Sequence, residues 1–460
     1  MLTTVLRSVR VAELRTKLLF TVGLVLLFRI GSQLPAPGVS YRNVHRCADL
    51  YGQHGLLAML DLFSGGALLQ LSVFALGVMP YITAAIVVQM LTPVVPKWNA
   101  LKKDGPDGQA KLTQYTRYAT LAFSVVQAGA MALMVRSTPS SLFPACGYPL
   151  MKQTSWPHTL ILAATFVVGA MVVMWIGENS TQRGIGNGSS LLIMSTIAAR
   201  LPVQARTMVR QHGLGVALVA GGSLVALVAV IVLVEQAQRR VRVTYPQKLT
   251  GDLPADAPGT YLPLKINQAN VIPVIFASTL LQVPDLIVKF THNSNGALAH
   301  FAAHYLTGGA HPVYMTLYTV LTVLLTFFYV TLTYDTADVA DEMRKAGGFI
   351  PGVKPGEDTE RHIDSILARL TTAGSLYLAV IAIVPLVLLA MSGGAAQLPL
   401  GGTSLLILVG VGLQTVKQLD AQLMQHSYPD LLVLPTPDLE QPTTDTAGHS
   451  VPATSKECYA

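Results

Sequence analysis

Charge is what this chain has least of. Only 12% of its 460 residues are Asp, Glu, Lys or Arg while 51% are hydrophobic, against about 25% charged in soluble domains. So little charge cannot cover the several separate cores that a soluble chain of this length would form, and lipid is the implied solvent. Cysteine is scarce too. Cys47, Cys146 and Cys458 exclude a disulfide framework and a four-cysteine zinc site. Carboxylates are missing from the interior of every long apolar run, with Glu178, Asp285, Asp335 and Asp338 at run boundaries. A buried charge costs about 3 kcal/mol on insertion scales and is kept only for use, so an ion-coupled transport site has no visible candidate. No Ser/His pair, paired aspartates or helical zinc motif suggests an intramembrane protease. His292, His300, His304 and His311 share one loop and read as solvated. Gly184-Ile185-Gly186-Asn187-Gly188 has no preceding strand and no phosphate-binding lysine, so it reads as a tight reversal and not a phosphate loop. The expectation is a protein that is not an enzyme, binds no cofactor, and takes its driving energy from a partner.

What the chain has in quantity is apolar runs. Ten are found, near 18–34, 71–91, 115–135, 158–177, 188–206, 214–235, 269–288, 311–333, 370–391 and 403–419, which predicts ten membrane-spanning helices of about 20 residues each. With the N-terminus on the cytoplasmic side, twenty-one Lys and Arg fall in cytoplasmic segments and eight outside, leaving Arg29 and Arg117 within spans. That asymmetry predicts N-in, C-in. Arg29 also argues against reading the first run as a secretory signal. Residues 1–17 read as an amphipathic cytoplasmic segment. Residues 428–460, rich in Thr, Pro and Ser, are expected to be a disordered cytoplasmic tail.

The second and seventh runs echo each other. Aligned without gaps, they match Pro80 with Pro273, Ile82 with Ile275, Ala84 with Ala277 and Gln89 with Gln282. The two runs lie five spans apart and cross in opposite directions, which predicts an inverted repeat with a pathway at its interface.

Several motifs, in order, then point to a family. They are Ser64-Gly65-Gly66-Ala67-Leu68, Phe74-Ala75-Leu76-Gly77-Val78-Met79-Pro80-Tyr81-Ile82, Gln114-Tyr115-Thr116-Arg117-Tyr118, and Trp175-Ile176-Gly177-Glu178 with Arg183-Gly184-Ile185-Gly186-Asn187-Gly188. Leu262-Pro263-Leu264-Lys265 with Val271-Ile272-Pro273 and Phe349-Ile350-Pro351-Gly352-Val353-Lys354-Pro355-Gly356 follow. Over about residues 10–425 the chain resembles the bacterial SecY family, the channel subunit of the Sec protein translocase. The resemblance implies an all-α polytopic membrane fold. Two inverted five-helix halves, 18–210 and 211–427, would form a clamshell hinged between the fifth and sixth spans.

The resemblance further implies a channel that passes unfolded signal-bearing preproteins across the cytoplasmic membrane and releases apolar segments sideways into the lipid bilayer. Its pore ring falls on Ile82, Ile86, Ser189, Ile193, Ile275 and Ile407. Its plug, about 55–66, includes Leu60, Leu62 and Phe63, with Gly65 and Gly66 as hinge. A lateral gate between spans 2/3 and 7/8 would carry Gln89, Gln127, Ser278 and Thr279. Two basic loops, about 236–268 and 334–369, would dock a SecA-like motor ATPase or the ribosome through Arg239, Arg240, Arg242, Arg344, Lys345, Lys354 and Arg361. SecE-like and SecG-like small membrane subunits are implied as companions. Three places depart from the family pattern: Ser189 stands where isoleucine is frequent, Lys354 where arginine is usual, and Tyr334-Asp335-Thr336 where Asn-Pro is common. A small-solute secondary transporter with the same repeat logic, and an insertase without a through-pore, are the competing expectations.

Overall fold

In lipid, a chain satisfies its backbone N–H and C=O groups by closing them within helices, and this protein does so almost throughout. Its structure, a computed structural model, describes residues 11–51, 64–137, 148–153, 155–244, 261–290, 311–391 and 402–427. The elements in order are α1 (Ala12–Gln33), α2 (Tyr41–Tyr51), α3 (Met79–Val94), α4 (Pro96–Lys103), α5 (Pro106–Ser137), α6 (Trp156–Arg183) and α7 (Gly188–Gln236). Strands β1 (Gln238–Arg242) and β2 (Tyr261–Lys265) follow, then α8 (Ile272–Phe290), α9 (Pro312–Thr333), α10 (Thr336–Lys345), α11 (Glu357–Met391) and α12 (Gly402–Ser427).

Each of the ten apolar runs falls on a helix, with two adjustments. The run 71–91 is helical only from Met79: residues 71–78 form successive turns, with Leu71 at φ 48° and Gly77 at φ 55° breaking helical geometry. Pro80 then lies in the first turn of α3, where its missing N–H costs nothing. Past Pro93 the chain bends by 97° into α4. The runs 188–206 and 214–235 join in one element, α7, which breaks at Gly213 (φ 80°, ψ 169°). A Cβ at Gly213 would meet nothing within 4 Å, so glycine there serves the backbone turn and not packing. At the start of the chain, α1 runs unbroken from Ala12, so residues 12–17 continue the first apolar run as helix.

Among the described residues, five helices are long and apolar enough to cross a membrane, or six with the bent pair α3–α4 taken as one span; Gly188–Val203 and Ile272–Leu281 are shorter apolar helices. Val126, Leu218, Val219, Leu233 and Leu376 lie on the outside of the chain, each more than 60% exposed. An apolar outer surface of this kind suits lipid and not water.

Helices α1, α3, α5 and α6 pack together as one group, and α8, α9, α11 and α12 as another. Helix α7 packs against α1 and α6 on one side and against α12 on the other, so it ties the groups together, while α3 closes the opposite side against α8 and α9. The main core runs between the groups. Phe28 of α1, Ile176 of α6, Ile197 of α7, Val274 of α8, Leu378 of α11 and Leu406 of α12 share one cluster. Ala84 and Ala277, matched in the sequence echo, are both fully buried, so the two echoed helices bury equivalent faces. Cys47 is buried and disulfide-bonded; Cys146 and Cys458 lie outside the described residues, as do His292, His300, His304 and the tail 428–460. His311 caps α9, its Nδ1 accepting from the Val313 N–H at 3.3 Å.

At one end of the bundle the basic segments form a unit of their own. Strands β1 and β2 pair antiparallel, from Gln238 opposite Lys265 to Arg242 opposite Tyr261. Val241, Val243 and Leu264 pack with Met343, Ile350 and Ile363. The unusual Tyr334-Asp335-Thr336 has a local reason: Asp335 Oδ1 accepts from the N–H groups of Ala337 (3.1 Å) and Asp338 (3.2 Å), capping α10.

Candidate functional site

Branched aliphatic side chains that meet in a narrow place exclude water without offering a charge to trap a passing chain. Four of the expected ring residues belong to or pack against the main apolar cluster. Ile193, Ile275 and Ile407 are buried in the main cluster, from α7, α8 and α12, and Ile82 of α3 packs against it half-buried. Both helix groups therefore contribute. Ile86, one turn beyond Ile82, is buried but lies outside this cluster. Ser189 sits at the start of α7, where its N–H (3.2 Å) and hydroxyl (2.7 Å) both donate to Asn187 Oδ1. Its hydroxyl is thus bonded to the helix cap. Ile197, fully buried in the same cluster, was not singled out from the sequence; its spacing of four from Ile193 was the available signal.

The turn expected to hinge the plug is well defined, whereas Leu60, Leu62 and Phe63 lie outside the described residues. Gly65 and Gly66 adopt φ 69° and 97°, a conformation that side chains resist. Space demands glycine as well: a Cβ on Gly65 would lie 2.8 Å from Thr196 Cγ2 and 2.9 Å from Arg29 Nη1. The Arg29 guanidinium donates to the Gly65 carbonyl at 3.3 Å. A Cβ on Gly66 would meet Arg200. Two arginines, Arg29 of α1 and Arg200 of α7, therefore flank this turn. The following turns are held on α1, with Val73 N–H donating to the Leu34 carbonyl (2.9 Å) and Phe28 stacked on Phe74.

Across the seam closed by α3, Gln89 Nε2 donates to the Tyr329 hydroxyl of α9 at 3.2 Å. Tyr329 was not anticipated. Ser278 and Thr279 donate instead to the Ile275 carbonyl of their own helix, at 2.7 and 2.8 Å, which spends their hydroxyls within α8. Gln127 lies on α5, half-buried. Within the first helix group, Arg117 of α5 forks onto Glu178 of α6, Nε at 3.1 and 3.0 Å from the two carboxylate oxygens and Nη2 at 2.7 Å from Oε2. This bidentate pair was legible in principle, because a lone arginine within a span needs a partner and the next apolar run is followed by a glutamate.

Arg239, Arg240, Arg242, Arg344, Lys345, Lys354 and Arg361 are all exposed on the basic unit. The structure brings them onto joined segments: Thr244 and Phe349 exchange backbone hydrogen bonds at 2.9 Å each, linking the hairpin to the loop of Lys354. Arg240 lies over the Tyr261 ring at 4.8 Å. Arg344 and Arg361 are only loosely paired, to Asp341 at 3.3 Å and Glu357 at 3.5 Å, and so stay available for a negatively charged surface.

The family model SecY matches residues 72–416. The protein translocase subunit SecY of Streptomyces griseus is 45% identical over 439 residues, covering 94% of this chain and all of that protein. The protein of the same name from Mycobacterium bovis is 43% identical over 442 residues, with the same coverage. Among solved structures, one described as a protein-conducting channel aligns with a TM-score of 0.62 at 16% identity, covering 91% of this chain and 94% of that one. Sec61 from a canine ribosome-channel complex aligns at 0.60 and 15%, with the same coverage. These two show the shared fold. With a family model spanning three quarters of its length and relatives matched end to end, the chain belongs to the SecY family.

Proposed function

We propose that the chain is the protein-conducting channel of a translocase in the cytoplasmic membrane. It passes unfolded, signal-bearing polypeptides across and releases apolar segments sideways between the pair α3/α5 and the pair α8/α9. The observation that carries this reading is that Ile82, Ile193, Ile275 and Ile407, from both helix groups, belong to or pack against one apolar cluster, while Gln89 and Tyr329 bridge α3 and α9 by a hydrogen bond. An apolar collar of this kind holds back ions by dewetting while yielding to an extended chain. The turn at Gly65-Gly66, flanked by Arg29 and Arg200, is the hinge on which the preceding plug moves aside.

The basic unit is the cytoplasmic docking face, with both termini on that side, as the excess of Lys and Arg in those segments supports. Its exposed arginines and lysines suit ribosomal RNA phosphates and the acidic surface of a SecA-like motor alike. SecE-like and SecG-like subunits complete the assembly. The test is reconstitution of the chain with such subunits in vesicles, with ATP-driven import of a signal-bearing protein as readout. Lys354→Glu is expected to slow import severalfold, while the variant inserts into the membrane normally. Unchanged import kinetics would remove Lys354 from the docking face, and absence of import by the unaltered chain with any motor would contradict the channel reading.

A further inference from the structure

Docking happens on the basic face and opening happens along α8, so something must join them. We infer that Asn267, held by Glu235, is the positioning residue that carries movement of the docking hairpin into gate helix α8. The inference rests on the channel reading above. It begins with a continuous run of hydrogen bonds. At the far end, Thr244 and Phe349 clamp the hairpin to the loop of Lys354. The β1–β2 ladder then runs down to Gln238 opposite Lys265. One residue further, Ile266 N–H donates to the Ala237 carbonyl at 3.2 Å. Beyond that the backbone ladder stops and the Asn267 side chain takes over. Its Nδ2 donates to Glu235 Oε1 at 2.7 Å and to the Asn270 carbonyl at 3.2 Å.

An amide nitrogen has two protons, and both are used here to bridge three segments: the end of α7, the foot of the hairpin and the entrance to α8. The entrance is shaped by the bond. Asn270 adopts φ 52°, a left-handed conformation a non-glycine residue keeps only when its surroundings hold it, and Ile272 opens α8 two residues later. The direction in which α8 leaves is therefore tied to the carbonyl that Asn267 holds. The bridge is also anchored. Asn267 is 2% exposed, and the preceding Ile266 carbonyl lies so near α11 that a Cβ on Gly374 would come within 2.6 Å of it. A pull on the hairpin thus has little slack before it reaches α8.

The test uses the reconstituted complex and four variants: Asn267→Ala, Glu235→Ala, Glu235→Gln and, as an off-path control, Gly23→Ala on α1, where an added Cβ meets nothing within 4 Å. Two quantities are read, the motor concentration giving half-maximal import and the maximal import rate. Loss of one charge-assisted hydrogen bond corresponds to roughly tenfold. Asn267→Ala and Glu235→Ala are expected to lower the maximal rate about tenfold with the half-maximal motor concentration unchanged. Glu235→Gln keeps an acceptor for Nδ2 and retains most of the rate. Equal loss in Glu235→Gln and Glu235→Ala, a normal maximal rate in Asn267→Ala, or a loss shared by Gly23→Ala overturns the inference. Hydrogen exchange on the purified full chain gives a readout that needs no motor. Asn267→Ala is expected to speed exchange at residues 271–275 and leave β1 protected, and unchanged exchange there also overturns the inference. Failure of the unaltered chain to import, with those exchange rates altered as expected, would count against the channel reading alone.

Discussion

Replacing Gly65 with alanine perturbs the proposed plug hinge by a single methyl group. Two costs follow from its geometry. An L-residue in the left-handed conformation seen here, φ 69°, costs about 1–2 kcal/mol. The added Cβ would stand 2.8 Å from Thr196 Cγ2 and 2.9 Å from Arg29 Nη1, and overpacking of this kind costs about 1–3 kcal/mol. The resting hinge therefore loses about 2–5 kcal/mol relative to a displaced one that relieves both strains. At 1.4 kcal/mol per factor of ten, the resting-to-displaced ratio falls by about 30-fold at the least. The expected result is a measurable resting ion current in planar bilayers, together with import of a reporter with a weakened signal. Gly105 provides the control, since it has φ 75° and nothing within 4 Å of its Cβ position: Gly105→Ala carries the backbone strain without the clash, away from the hinge. If Gly65→Ala is as tight and as selective as Gly105→Ala, the hinge assignment is wrong.

Two further outcomes are expected. Glu178→Gln removes the charge that Arg117 pairs with, leaving the guanidinium a neutral acceptor and its bond to Gln114 Oε1 at 3.1 Å; because Arg117 is 38% exposed and Glu178 only 10%, the loss is on the order of 1 kcal/mol, less than for a fully buried pair. A double-mutant cycle with Arg117→Met, read by thermal unfolding in detergent, is expected to show coupling, and additive effects would deny the pair its role in fixing α5 to α6. Tyr329→Phe removes the hydrogen bond from Gln89 across the seam, worth about 1 kcal/mol. Cross-linking of engineered cysteines on α3 and α9 is expected to fall, and an unchanged yield would mean that this bond does not hold the gate.

The sequence was most readable where long apolar runs dictated helices, and least where single residues decided geometry. Leu71 and Gly77 turn an apolar stretch out of helical form, and hydropathy carries no trace of that. Ser278 and Thr279 looked like gate contacts because they are polar within a span, yet each hydroxyl is satisfied one turn back on its own helix, a choice the backbone makes locally. Ser189, expected as the polar member of the collar, has its hydroxyl bonded to the Asn187 cap, a local pairing that hydropathy does not reveal. The missed residues Tyr329 and Asn267 share one property. Each is defined by a partner distant in sequence, and only the packing of helices brings the two together. Asp335, by contrast, stands where its family commonly has asparagine and does a capping residue's work at once, so that departure is conservative in function.

The most direct measurement is ion conductance through the resting channel after Ile82→Ser and Ile275→Ser, one collar residue from each helix group. If these residues seal an apolar constriction, hydroxyls there will let water and ions in, and the doubly substituted channel will carry a steady current without substrate, larger than that of either single variant. A resting current indistinguishable from the unaltered protein's, in a variant that is folded and inserted, would show that the seal lies elsewhere and contradict the account.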